Sequence, residues 1–359
     1  MNDPILETYK RANITFVKGR GPWLETSDGD HYLDMGSGIA VNSLGHANED
    51  LIKALTNQAS KLWHTSNLYN IPNQTQLAQK LVENTFAEKV FFTNSGTESI
   101  ECALKMARKY HFDRGNYNKN KTLSFEGSFH GRSIASISAS GSEKLTHGFG
   151  PLLAGFKSIP FEDYESLTNI SFDRVGAILI EPIQGEGGIK PASLNFLKFI
   201  RNICNKNNIL FFLDEVQSGF GRSGKLYSYE WAKIKPDILA TAKGIGSGFP
   251  LGACLSTNQA CIGMIKGKHG STYGGNPLAV SVGREVLKII SDKKFLKNVD
   301  SISRYFWQNL KKLQSNYNEI IDVRGAGLLL GIKTRQNNIM ISDLLKKNKL
   351  LSVPAGDNV

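Results

Sequence analysis

The sequence predicts an α/β fold, a mostly parallel sheet with a smaller α+β lobe beside it, on two observations. From about Lys89 to Ser256, short runs rich in Val, Ile, Leu and Phe alternate with longer amphipathic stretches. On either side of that region the alternation stops and turn-rich patterns take over. Continuous apolar runs separated by helix-length segments are the mark of strands buried on both faces, which places helices on both sides of a parallel sheet. The elements follow in chain order. GPWLETSDGDHYLDMGSG carries a D-G turn between two alternating runs and predicts a β-hairpin, followed by a helix over residues 49–61. KVFF, TLSF, VGAILIEP, ILFFLDEV, PDILATA and LGACLS are the six candidate sheet strands. Residues 277–293 and 298–315 show helical periodicity, and IIDVRGAGLLLGIK predicts two strands around a glycine turn. With no internal repeat or low-complexity linker, the lobes are expected to pack closely.

The 359 residues, 40% hydrophobic, suffice for a large core without staples. Cys102, Cys204, Cys254 and Cys261 have neither C-x-x-C spacing nor a histidine at ligand distance along the chain. They predict reduced thiols in a cytoplasmic protein with no metal. The first residues lack an apolar signal core, and runs such as VGAILI are too short to span a bilayer, so no membrane partner is expected. The net charge of +11 raises nucleic acid as a partner. The excess, however, is dispersed in polar Lys/Asn-rich pieces such as NYNKNK, SDKKFLK and LLKKNKL, without interleaved aromatics. Solvated faces account for it, and no nucleic acid is expected.

Ligands of open α/β sheets sit beyond the carboxyl ends of the strands, and four such ends carry chemistry. Ser95-Gly96-Thr97 follows a strand and opens a helix: backbone N–H groups and two hydroxyls there can cradle a phosphate, or merely cap the helix. Asp214 ends an apolar strand, with Gln217 three residues on. A carboxylate leaving a buried strand needs a cation or donor, and a protonated pyridine nitrogen would serve; capping the next turn is the alternative. Gln217 could donate to a phenolic ring oxygen. Lys243 ends another apolar run among glycines, where a disfavoured ammonium makes a Schiff-base nucleophile. Phe129, His130 and Arg132 follow a fourth strand: Phe129 could stack on a flat ring and Arg132 could hold a carboxylate. Together these groups meet the requirements for holding pyridoxal 5'-phosphate (PLP).

The residues then resemble a known family. From GPWLETSDGDHYLDMGSGIAVNSLGH to GLLLGIK the chain resembles the class III, fold type I, PLP-dependent aminotransferases. It is most similar to those acting on acetylornithine in arginine biosynthesis, through LWHTSNLY, FFTNSGTES, SFHGRS, EPIQGEGGI, LDEVQSGFGRSGK, AKGIGSGFPLGA and STYGGNPLA. The resemblance implies a seven-stranded, mostly parallel sheet in a large domain over residues 61–280. Residues 1–60 would contribute to a small domain whose carboxy-terminal part, residues 281–359, is incomplete. It implies that Lys243 carries the cofactor as an imine, Asp214 pairs with the ring nitrogen, Gln217 meets the ring hydroxyl and Phe129 stacks, beside His130. Ser95, Gly96 and Thr97 would hold the phosphate, with Thr272 supplied across the interface of a homodimer. Arg132 would take the substrate's α-carboxylate, and Glu186 resembles a gate that neutralises a second arginine until a dicarboxylic substrate arrives.

Two departures matter. Ornithine aminotransferases of this class carry a tyrosine where the nearest residues here are Gly38 and Ile39, which favours a donor with an acylated α-amino group. N2-Acetylornithine with 2-oxoglutarate is therefore expected. Succinylornithine, succinyl-diaminopimelate and 4-aminobutyrate remain alternatives. The sequence also stops at LSVPAGDNV, where the family continues, so an incomplete small domain without the gate's arginine is expected, and with it the alternative of an inactive PLP-binding homologue.

Overall fold

The computed structural model describes residues 4–359. The amino-terminal meander consists of β1 (Phe16–Arg20), β2 (Trp23–Thr26) and β3 (His31–Asp34). The expected D-G turn joins β2 to β3: Gly29 takes φ +83° and the Thr26 N–H donates to the Asp30 carbonyl. The helix Glu49–Ala59 follows, capped by Asn48, whose side chain accepts from the Asp50 and Leu51 amides.

The large sheet comprises β4 (Lys89–Thr93), β5 (Lys121–Phe125), β6 (Phe156–Ile159) and β7 (Val175–Ile180). Two-residue strands β8 (Ile183–Gln184) and β9 (Lys190–Pro191) form a separate ribbon, and then come β10 (Leu210–Asp214), β11 (Ile238–Thr241) and β12 (Gly252–Ser256). The order is β4-β12-β11-β10-β7-β5-β6, parallel throughout except for β12, which runs antiparallel to both neighbours. All six apolar runs are strands. The seventh, β6 (FKSI), is not legible as one, because an edge strand half-covered on one face has no continuous apolar run to show.

Alternate residues along each strand feed opposite layers. Ala177, Leu179, Leu210 and Phe212 pack beneath the helix Gly96–Asp113 through Ile100, Ala103 and Met106. Ile178, Ile180, Phe211 and Leu213 face Phe196, Leu197 and Ile200 of the helix Leu194–Asn207. This two-sided burial fixes the strand ends, and hence whatever side chains leave them.

The remaining lobe contains β13 (Ile320–Ala326) antiparallel to β14 (Leu329–Thr334), the hairpin expected around the glycine turn, and β15 (Leu350–Leu351), which joins the amino-terminal sheet parallel to β3. Helices cover Pro277–Ile290 and Lys293–Asn316. The second begins five residues before the expected 298 because Asp292 caps it, accepting from the Lys294 and Phe295 amides. The four cysteines are free thiols, and among the described residues no helix is long and apolar enough to cross a membrane.

Candidate active site

Because β5, β7, β10 and β11 are adjacent and parallel, their carboxyl ends open on one edge of the sheet. Phe129 and His130 leave β5, Glu181 leaves β7, Asp214 ends β10 and Lys243 follows β11. The helix Gly96–Asp113, which follows β4, points its amino terminus to the same edge. A cavity of about 360 Å³ opens there, lined by Ser95, Gly96, Thr97, Phe129, His130, Glu181, Glu186, Asp214, Gln217 and Lys243, with Val41, Val216 and the segment 248–251 as apolar wall. Its size suits a small organic ligand.

The helix start is capped and still leaves donors free. The Ser95 hydroxyl accepts from the Glu98 N–H at 3.3 Å, and Glu98 Oε2 accepts from the Ser95 N–H at 3.0 Å, a complete capping box. The N–H groups of Gly96 and Thr97 find no partner among the described residues and lie on the cavity wall. Two orphan donors at the positive end of an 18-residue helix favour an anion.

Asp214 likewise does two things. Oδ1 accepts from the Val216 N–H at 3.0 Å, the turn cap, while Oδ2 meets His130 Nδ1 at 2.7 Å. Both side chains are buried, and His130 Nε2 has no partner among the described residues. Glu215, next to Asp214, accepts from the Ser228 and Tyr229 amides at 2.7 and 2.9 Å and from the Ser218 hydroxyl. Burial pushes its carboxyl up to about 7. It clamps the loop that carries Gln217.

Lys243 sits at φ +49° in a 3₁₀ turn, a left-handed conformation that costs a non-glycine residue. Its amine makes no hydrogen bond or ion pair among the described residues. Burial lowers its proton affinity, against the pull of Glu186, Asp214 and Glu181. A half-buried lysine with a weakened hold on its proton and no partner among the described residues is a candidate nucleophile.

Two residues depart from the cluster, and a third, Glu186, lines the cavity from an exposed position. Arg132 is exposed and off the cavity wall, its guanidinium 5.4 Å from the centroid of the Phe129 ring, which is on the wall. Thr272 is exposed, in a loop tied to Asn67 by the Ser271 and Gly274 carbonyls. Glu186 is exposed, and its carbonyl accepts from the Gly356 amide at 2.8 Å. Gly38 and Ile39 occupy a short left-handed turn just before Val41, which lines the cavity. Glu181, not among the residues expected at the site, leaves VGAILI with the same signal as Asp214 leaving ILFFL, a carboxylate at the end of a buried strand.

A lysine, a carboxylate–histidine pair and an anion-binding helix end, on one edge of a seven-stranded sheet, are the furniture of a cofactor-dependent transferase. The chain belongs to the class III aminotransferases, whose family model matches residues 7–359. It is similar to the acetylornithine aminotransferase of Agrobacterium fabrum, 49% identical over 357 residues, covering 99% of this chain and 90% of that protein. Among solved structures it resembles the N-acetylornithine aminotransferase of Stenotrophomonas maltophilia (TM-score 0.85, 34% identity, 98% of this chain and 89% of that one). It also resembles an ornithine aminotransferase of Toxoplasma gondii whose active site holds PLP at partial occupancy (TM-score 0.93, 29% identity, 99% and 86%).

Proposed function

We propose that this aminotransferase uses PLP to move the terminal amino group of N2-acetylornithine to 2-oxoglutarate, giving N-acetylglutamate 5-semialdehyde and glutamate. The observation that carries the proposal is Lys243, an unpartnered amine facing a cavity that also offers orphan N–H donors and a buried carboxylate. The residues fit the cofactor group by group. The Gly96 and Thr97 amides match a phosphate, Asp214 matches a protonated ring nitrogen, and Phe129 and Val216 offer apolar faces to the ring. When bound, PLP supplies an aldehyde that condenses with primary amines and a ring that takes up the electron pair of the reacting carbon.

The chain does the rest. Lys243, its ammonium disfavoured by burial, would be available as free base to take the proton from the reacting carbon and deliver it to the cofactor's aldehyde carbon, C4'. Asp214, oriented by His130 and the Val216 amide, holds a proton on the ring nitrogen. Arg132, which packs against the Phe129 ring, would receive the donor's α-carboxylate, and Gly38 and Ile39, standing where ornithine aminotransferases carry a tyrosine, favour an acylated amino group. The similarity to acetylornithine enzymes over 99% of the chain supports that donor. We place the enzyme in the cytosol on its free thiols. We place Thr272 at a homodimer interface, because Trp63, Leu68, Tyr69 and Tyr273 expose apolar surface (66, 89, 69 and 61%) in the two segments that Asn67 ties together.

The test is spectroscopic and kinetic. Purified protein loaded with PLP should lose its visible band on adding N2-acetylornithine, and regain it with 2-oxoglutarate as glutamate appears. A kcat/KM for ornithine or 4-aminobutyrate above that for N2-acetylornithine would overturn the donor assignment.

Gln217 provides a narrower check. A Cβ on Gly185 would fall 1.3 Å from Gln217 Oε1, so Gly185→Ala must expel that amide from its seat. One lost hydrogen bond of about 1.4 kcal/mol predicts roughly tenfold weaker PLP binding, measured by cofactor titration. Unchanged affinity would remove Gln217 from the site.

A further inference from the structure

Glu181 is the one ionisable group on the cavity wall to which neither the sequence motifs nor the proposed chemistry gives a task. It leaves β7 between the strand that delivers Phe129 and His130 and the strand that delivers Asp214. It is 6% exposed, and its Oε1 accepts the Phe129 N–H at 2.7 Å. That bond crosses from β7 to the loop after β5 and fixes the backbone from which both the Phe129 ring and the Asp214-bound imidazole of His130 project. A buried N–H deprived of its acceptor costs about 1–3 kcal/mol, so the bond holds that segment with some force.

The charge state of this anchor matters more than its geometry. The groups around it are Asp214 from β10, His130 from the loop after β5, Lys243 after β11 and Glu186 from the loop after β8, all on the same cavity. Of these the carboxylate of Asp214 opposes a second anion, and Lys243 is not within hydrogen-bonding distance of either acid. Two carboxylates sharing a dry site do not both ionise cheaply. Burial and the charge of Asp214 move the Glu181 carboxyl far above its usual range, with the Phe129 and Gly185 amides pulling back.

We propose that Glu181 is a positioning residue that works as a neutral acid, anchoring the Phe129 amide while leaving Asp214 the charged member of this pair of neighbouring strand-end carboxyls. The consequence is a division of labour between two similar side chains at neighbouring strand ends. Asp214 would supply charge to the ring nitrogen, and Glu181 supplies shape without adding to the charges of Glu186 and Asp214 near the Lys243 nitrogen.

The inference rests on the PLP proposal, and its test separates the two. Wild type, Glu181→Gln and Glu181→Leu are each loaded with PLP, their visible absorbance is titrated against pH, and cofactor affinity and the visible circular dichroism of the bound chromophore are recorded. Should wild type develop no visible band, it is the cofactor assignment that fails. With the band present, Glu181→Gln, which keeps the carbonyl acceptor and is uncharged, should leave the titration midpoint within about 0.3 units. A neighbouring anion removed from a buried site would instead lower it by about one unit or more, and that result would overturn the neutral acid. Glu181→Leu should weaken PLP binding about tenfold and reduce the chromophore's dichroism, with Gln restoring both. Leu with wild-type affinity and dichroism would overturn the anchor. Far-ultraviolet dichroism of the three proteins identifies any variant that has not folded, and in that event Gln alone decides the charge state.

Discussion

Replacing Lys243 with alanine is expected to lower kcat by about 10⁴-fold or more, the full range available to a positioned acid–base group, and to abolish the covalent attachment of cofactor that borohydride would make permanent on this residue in wild type. Both losses have one origin. The Lys243 nitrogen is the only amine on the cavity wall, so nothing among the described residues can replace it as nucleophile or as base. The effect on stability should run the other way. Burial disfavours the Lys243 ammonium, so the folded chain bears that cost in full at pH values below the group's lowered folded-state midpoint. As pH rises from there toward the usual lysine value of 10.5, the cost fades. Lys243→Met keeps the aliphatic stem and drops the charge. The cofactor-free methionine variant should therefore melt above cofactor-free wild type near pH 7, with the gap narrowing toward pH 10.5. A gap independent of pH would mean that the lysine is not strained electrostatically, and an alanine variant with a tenth of wild-type turnover would exclude Lys243 from the chemistry altogether.

The fold was readable wherever burial is two-sided. VGAILI and LFFLD are buried at every position, and a strand with no solvent face must be apolar throughout, so these declare themselves. FKSI does not, because an edge strand with Lys157 facing water reads like any loop. The early start of the helix at Lys293 was hidden by KK, which resembles a solvated charge run, although the cap signal of Asp292 was there. The candidate site follows the same logic. Ser95, Gly96, Thr97, Phe129, His130, Glu186, Asp214, Gln217 and Lys243 all reach one cavity because each stands at or just beyond an element end on a common edge. Arg132 and Thr272 stand outside it, and no pattern in the chain could say so: side-chain direction at an exposed loop position depends on tertiary contacts such as the Phe129 ring under Arg132. Glu181 was missed for a different reason. A glutamate before proline after a strand has no short motif of its own, and its meaning appears only when β5 and β10 are placed on either side of β7.

Asp214 is the residue whose charge, rather than shape, should matter most after Lys243. A unit charge about 4 Å from a protonated ring nitrogen is worth roughly 4 kcal/mol at the effective dielectric of a partly buried site. At about 1.4 kcal/mol per decade, Asp214→Asn should cost roughly 10³-fold in kcat. Asparagine keeps an oxygen to accept the Val216 amide, so the turn that Asp214 caps should survive. Its amide nitrogen would, however, face His130 Nδ1, which must then become an acceptor and carry its proton on Nε2, an atom buried without a partner. The imidazole is thereby left with an unsatisfied donor in place of an unsatisfied acceptor. Some of the loss should appear as weaker cofactor binding, and Asp214→Ala, which removes the cap as well, should bind PLP less tightly still. The discriminating measurement is the single-turnover rate of the first half-reaction at saturating PLP, which isolates the charge from the affinity. If Asp214→Asn retained more than a tenth of the wild-type rate there, the ring nitrogen would not depend on this carboxylate, and the histidine pair would have to be regarded as a packing feature of the β10 strand end.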